Sequence, residues 1–130
     1  MMFDWKSPTA MLMGRWQPWH DGHTALFKKA YAEFGQVCIM MRDVYGINAG
    51  PGQDDNPFTW NKVSSNIEHA LSKEGFFYEE HYIIMRVPNI VDISYGRGVG
   101  YTFTQHDLGE EIHNISATKI RAQMRNEGTL

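Results

Sequence analysis

The chain has few of the features that mark disulfide-bonded, membrane-bound or nucleic-acid-binding proteins. A single cysteine, Cys38, excludes an internal disulfide, and its apolar neighbours predict a buried thiol. Lysine and arginine number 12 against 15 acidic residues, so the formal charge of −3 leaves no basic surface for general nucleic-acid binding. The longest apolar run, Val37 to Met41, has the length of a strand. Because no signal-like or membrane-length segment is seen, we expect a cytoplasmic protein with no membrane partner.

The residues that are present predict one soluble globular domain over residues 1–130. An apolar content of 42% and a charged content of 21% are typical of such proteins, and the length allows a hydrophobic core. Strand and helix patterns alternate, which predicts an α/β fold with an open parallel sheet and helices on both faces. The predicted strands cover about 9–14, 37–41 and 82–88, with a weaker one at 101–106, and the predicted helices cover about 24–34, 60–73 and the residues after Ser116.

The predicted helices have expected caps and inward faces. Asp21 is expected to cap the first helix and Ser116 the last. The expected inward residues are Ala25, Leu26, Ala30 and Phe34 on the first helix and Val63, Ile67, Ala70 and Leu71 on the second.

Residues 14–23 connect the first predicted strand to the first predicted helix. Their sequence is Gly-Arg-Trp-Gln-Pro-Trp-His-Asp-Gly-His. A helix N-terminus has unpaired N–H groups and a partial positive charge, and ligands of open parallel sheets bind where the strands end. His20 and His23 add side-chain donors at this place. The turn therefore predicts a nucleotide phosphate site.

Two stretches carry a family resemblance. The run Gly14-Arg15-x-Gln17-Pro18-x-His20-x-Gly22-His23 resembles the HxGH signature of the nucleotidylyltransferase superfamily, in the GRFQPFHxGH form of nicotinamide-mononucleotide adenylyltransferases. It lacks the GTFDxxHxGH form of glycerol-phosphate cytidylyltransferases. Ile115 to Arg121 is similar to the ISxTxxR motif of the superfamily. The resemblance implies a Rossmann-like core over about residues 9–125 and a possible homodimer.

The reaction that the resemblance implies joins two phosphates. An acceptor's phosphate, or a similar anionic oxygen, attacks the α-phosphorus of a nucleoside triphosphate, and pyrophosphate leaves. The acceptor is already a good nucleophile, so the site has to hold anions together and neutralise developing charge. Mg²⁺ is implied as the neutralising ion, and since the sequence shows no dedicated carboxylate cage, we expect it to arrive with the nucleotide.

The resemblance also implies roles for particular residues. The expected catalytic residues are His20, His23 and Arg121. The expected nucleotide-binding residues are Gly14, Arg15, Trp16, Gln17, Gly22, Ser116, Thr118 and Lys119. The expected acceptor-binding residues are Arg42, Asn56, Phe58, Asp92 and Arg97, of which Asn56 and Phe58 belong to a segment similar to the NPF segment of archaeal mononucleotide adenylyltransferases.

Most of these residues have a plainer interpretation. His20 and His23 are also compatible with a metal pair at i, i+3 or with a helix cap whose partner faces solvent. Trp16 and Trp19 are typical of packing residues, although one of them can stack on a base or pyridine ring. The NPF segment is equally compatible with a turn followed by a helix cap at Thr59.

The residues leave the substrates open. The motif form and the NPF segment favour ATP and a mononucleotide acceptor slightly over CTP with a phosphorylated alcohol, sugar or phosphonate. A hypothesis of another class is a binding module that senses a nucleotide without turning it over. The intact motif residues argue against that module.

Overall fold

The computed structural model describes residues 2–47, 55–97, 100–109 and 117–129, and in them the chain forms three strands and three helices. In chain order these are β1 (Ala10–Gly14), α1 (Asp21–Phe34), β2 (Val37–Arg42), α2 (Trp60–Ser72), β3 (Tyr82–Val87) and α3 (Ala117–Glu127). The fold is α/β and consistent with a Rossmann-like architecture, as predicted. None of the helices in these ranges is long and apolar enough to cross a membrane.

The sheet is parallel, with the strand order β1-β2-β3. Leu12 of β1 stands beside Ile39 of β2, which stands beside Ile84 of β3. The central strand β2 is almost continuously apolar because most of its side chains are buried on both faces of the sheet, which is why a run without alternation predicts a central parallel strand. Because the strands are parallel, the C-terminal ends of all three lie together at one end of the sheet.

The hydrophobic core joins the sheet to both crossover helices. Phe27 of α1 and Ile67 of α2 are fully buried in one cluster with Val37 and Ile39 of β2. At about 25 cal/mol per Å² of apolar surface, each such side chain contributes about 1.5–3 kcal/mol when it leaves water. Cys38 is buried as predicted, and burial raises the pKa of its thiol.

Three predictions about the elements need correction or adjustment. The N-cap of α1 is His20, and Asp21 is the first helical residue. The most buried side of α1 passes through Phe27 and Ala30, whereas Ala25, Leu26 and Phe34 are only partly buried. The predicted strand at 101–106 is wrong, because these residues pair with no strand in the described part of the chain and Tyr101 and Phe103 are exposed.

The prediction for α2 is confirmed. Val63, Ile67 and Leu71 are buried and Ala70 is partly buried against the core. The Thr59 side chain accepts a hydrogen bond from the N–H of Lys62 at 3.3 Å, so Thr59 is the N-cap. The predicted cap at Thr59 is therefore confirmed.

Candidate active site

The turn between β1 and α1, residues 15–20, is called the motif turn below. Packed tryptophan rings hold it in place. The Trp16 ring folds back over Gly14, and its Nε1–H donates to the carbonyl of Met40 at 3.1 Å. Trp19 packs beside it with ring centroids 4.9 Å apart and donates from Nε1 to Thr24 Oγ1 at 2.8 Å. Both tryptophans are almost fully buried, so their interpretation as packing residues is confirmed.

The two motif histidines cap α1. The N–H of Gly22 donates to His20 Nδ1 at 3.0 Å, and the N–H of His20 donates to His23 Nδ1 at 3.1 Å. The two rings stack, with centroids 3.7 Å apart. Because each Nδ1 accepts a hydrogen bond, each neutral ring carries its proton on Nε2. The caps therefore leave two Nε2–H donors, while the N–H of Gly22, one of the expected nucleotide-binding residues, already donates within the cap.

Both histidine rings are neutral at pH 7. Burial, with repulsion from His20 as a smaller cause, lowers the pKa of His23 to about 3. Burial also lowers the pKa of His20, opposed by the carboxylate of Asp21. The pair therefore offers hydrogen-bond donors rather than positive charges, which the stacked rings could carry together only at a high electrostatic cost.

The partly buried His23 ring makes the protein less stable at low pH. Its folded-state pKa lies below the ordinary 6.5, so the unfolded chain takes up the proton first. Its stabilising contribution is complete above pH 6.5 and is lost as the pH falls toward 3, by about 1.4 kcal/mol per pH unit. Urea unfolding measures this loss. From pH 7.5 to pH 5, we expect the free energy of unfolding of the wild type to fall by about 2 kcal/mol more than that of His23→Gln. Equal losses of unfolding free energy in the wild type and in His23→Gln would contradict the lowered pKa of His23.

A cavity of about 320 Å³, called the motif cavity below, opens beside this turn. It is lined by Met13, Gly14, Arg15, Trp16, Gln17, His23, Leu26, Ala117 and Arg121. Arg121 comes from α3, where it is buried and donates from Nη1 to the carbonyl of Gln17 at 2.6 Å. The structure thus brings together residues of the two sequence motifs, which are about a hundred positions apart.

The other expected nucleotide-binding residues lie around this cavity. Thr118 Oγ1 is 3.4 Å from Arg121 Nη2, and Thr118 and Lys119 are exposed on α3 outside the lining. His20 stacks on His23 but is not itself part of the lining. Ser116 lies outside the described residues.

A second cavity, of about 340 Å³, shares the lining residue Met13 with the motif cavity. It is lined by Met13, Arg42, Ile90, Val91, Asp92 and Ile93. Arg42 donates from Nη2 to Asn89 Oδ1 at 2.8 Å, while its Nε is buried without a partner among the described residues. Arg42 and Asp92, both predicted to contact an acceptor, therefore share one cavity.

The remaining residues predicted to contact an acceptor lie elsewhere. Arg97 is exposed and borders neither cavity. Asn56 is 4% exposed and Phe58 is 5% exposed; both bond to motif residues, and neither borders these two cavities. The Phe58 N–H donates to Gln17 Oε1 at 2.8 Å, and Gln17 Nε2 donates to the Phe58 carbonyl at 3.0 Å.

Sequence reasoning missed two residues near the motif cavity. Met13 lines both cavities, and its position just before Gly14 at the end of β1 was the available signal. Asp55 Oδ1 lies 3.6 Å from Arg121 Nη2, and the only signal was its place next to Asn56. No group of three or more potential metal ligands among His, Cys, Asp and Glu occurs within the described ranges.

Comparison with known proteins gives a partial match. The chain is 34% identical over 71 residues to a nicotinamide-nucleotide adenylyltransferase of Methanococcus aeolicus. This match fits a nucleotidylyltransferase. The aligned part is 53% of this chain and 38% of that relative, so the chain spans much less than two thirds of the relative's length. No protein-family model matches the chain.

Proposed function

We propose that the protein is a nucleotidylyltransferase that transfers AMP from ATP to a small phosphate-bearing acceptor such as nicotinamide mononucleotide. The main support is the motif cavity, where His23, Arg15 and Arg121 meet at the carboxyl end of β1. Neutral donors and fixed cations around one cavity suit a polyanion. The name of the Methanococcus aeolicus relative supports ATP as the nucleotide.

In this proposal the triphosphate occupies the motif cavity. An oxygen of the acceptor's phosphate forms a bond to the α-phosphorus, the bond from the α-phosphorus to the bridging oxygen breaks, and pyrophosphate leaves with that oxygen. No proton has to be removed, because the acceptor phosphate is ionised at neutral pH. The Nε2–H of His23 donates to a phosphate oxygen, and Arg121 and Arg15 neutralise charge on the phosphates.

Mg²⁺ belongs to the nucleotide substrate in this proposal. The lining of the motif cavity contains no carboxylate, so these residues do not form a magnesium site of their own. The ion bound to the triphosphate would neutralise part of the charge of the leaving pyrophosphate.

The second cavity is the proposed acceptor site. It adjoins the motif cavity at Met13, so an acceptor there can extend its phosphate toward the triphosphate. The buried Nε of Arg42 is a donor in need of an acceptor atom, and the carboxylate of Asp92 can accept from sugar hydroxyls.

Calorimetric titration with ATP and with CTP, each with Mg²⁺, tests the nucleotide. We expect ATP to bind at least about tenfold more tightly than CTP, which corresponds to 1.4 kcal/mol. A preference for CTP would contradict the adenylyl part of the proposal and direct the acceptor search to phosphorylated alcohols, sugars or phosphonates. Binding of neither nucleotide, with or without nicotinamide mononucleotide, would contradict the proposed function.

A further inference from the structure

Two consecutive residues, Asp55 and Asn56, each contact one arginine of the motif cavity. Arg15 Nη1 donates to Asn56 Oδ1 at 3.3 Å, and Arg121 Nη2 lies 3.6 Å from Asp55 Oδ1. Neither Asp55 nor Asn56 lines the cavity. Apart from direct repulsion between the Asp55 carboxylate and a bound anion, these two residues therefore act on a ligand through the arginines.

The side-chain amide of Asn56 has one favourable orientation. Its Nδ2 donates to the carbonyl of Ile47, so its Oδ1 is turned toward Arg15. A flipped amide would bring the NH₂ group against the guanidinium and the oxygen against the Ile47 carbonyl, and both contacts are repulsive. The carbonyl of Asn56 also accepts from the N–H of Gly46 at 3.0 Å, which fixes the backbone beneath the amide.

Hydrogen bonds of Phe58 connect the segment 55–58 to the motif turn. Phe58 is buried in the core and exchanges two hydrogen bonds with the Gln17 side chain. The carbonyl of Gln17 in turn accepts from Arg121. The segment 55–58, the motif turn and α3 are thereby joined by buried hydrogen bonds, which can hold a neighbouring side chain to one geometry.

We propose that Asn56 and Asp55 are positioning residues, which hold Arg15 and Arg121 in place for the triphosphate of the nucleotide. This inference rests on the proposed function. A long arginine side chain loses rotamer freedom when it binds a phosphate, and a side chain that is already held loses less. Sequence similarity to an NPF segment suggested that Asn56 contacts the acceptor; the geometry assigns it to Arg15 instead.

The negative charge of Asp55 gives this proposal a distinctive consequence. By Coulomb's law alone, removing a carboxylate beside a polyanion site should strengthen triphosphate binding. If Asp55 acts by positioning Arg121, its removal should weaken binding despite the lost repulsion. The direction of the change in Kd therefore separates the two roles.

A double-mutant cycle tests the pairing of Asn56 with Arg15. Kd for ATP is measured by calorimetry in the full chain for the wild type, Asn56→Ala, Arg15→Ala and the double variant. We expect Asn56→Ala to weaken binding about tenfold in the wild-type background and less than about twofold when Arg15 is already alanine. Asn61→Ala, at an exposed position of α2, is the matched control and should leave Kd unchanged.

The Asp55 variant completes the test if Asn56→Ala does not fold. Asp55 is partly exposed, so Asp55→Ala should retain the fold, checked by circular dichroism, and weaken ATP binding about threefold or more. Glu68→Ala, which removes an exposed acidic charge on α2, serves as the control for net charge.

Three results would overturn the inference. These are tighter ATP binding by Asp55→Ala, equal effects of Asn56→Ala with and without Arg15, and a change confined to the acceptor's affinity. In each of them the wild type still binds ATP, so the proposed function stands. A wild type that binds no nucleotide would overturn both.

Discussion

Replacing His23 by alanine is expected to reduce turnover by about 10²–10³-fold, the usual loss when one preorganised donor to developing charge is removed. The His23 ring lines the motif cavity, and its Nδ1 is committed to the N–H of His20. This hydrogen bond in the helix cap fixes the orientation of the ring and therefore the direction of its Nε2–H. Pyrophosphate release from ATP in the presence of Mg²⁺ and nicotinamide mononucleotide measures the effect.

The His23→Ala variant also loses half of the histidine cap, so its fold must be checked. Loss of a cap costs about 0.5–2 kcal/mol, which leaves most proteins folded at 25 °C. His69→Ala is the matched control, because His69 is exposed near the end of α2, far from the motif in the sequence. Unchanged turnover in folded His23→Ala would contradict the catalytic assignment of this residue.

Gly14→Ala is expected to destabilise the protein by about 1–3 kcal/mol, the usual cost of forcing a group into a packed site. A Cβ at Gly14 would lie 2.9 Å from Cη2 of the Trp16 ring. That ring cannot easily move, because it is buried against Trp19 and His23 and donates to the Met40 carbonyl. Since Trp16 also lines the motif cavity, ATP binding should weaken together with stability.

Urea unfolding measures the effect of Gly14→Ala against a matched glycine. Gly96→Ala introduces the same methyl group where, among the described residues other than its chain neighbours, no heavy atom lies within 4 Å, and it should change stability by less than about 0.5 kcal/mol. If the two variants were equally stable, the close approach of Trp16 to Gly14 would not constrain the motif turn.

The sequence was sufficient to predict the sheet because its strands carry strong local signals. Val37 to Arg42 forms an apolar central strand, and Gly35 ends the preceding helix in the left-handed conformation that glycine adopts readily. The alternation at 101–106 is equally local but predicted a strand wrongly, because alternation does not supply the neighbouring strand that pairing requires.

The site was predictable only in part. The meeting of Arg121 with the motif turn followed from the family resemblance and spans 104 positions, which no local pattern encodes. The contact of Asn56 with Arg15 spans 41 positions and depends on how the segment before α2 docks against the turn. The cap by His20 was one of the alternatives left open for this residue, and Asp21 was favoured as the N-cap because histidine is uncommon at that position.

The wild-type arm of the turnover experiment tests the central claim most directly. The protein is incubated with ATP, Mg²⁺ and nicotinamide mononucleotide. The products are then separated by chromatography and identified and quantified by mass spectrometry. We expect a dinucleotide and pyrophosphate in equal amounts, with ATP consumed to match. ATP that is bound but not consumed, with this acceptor and with phosphorylated alcohols, sugars or phosphonates, would contradict an enzymatic role and favour a nucleotide-sensing module.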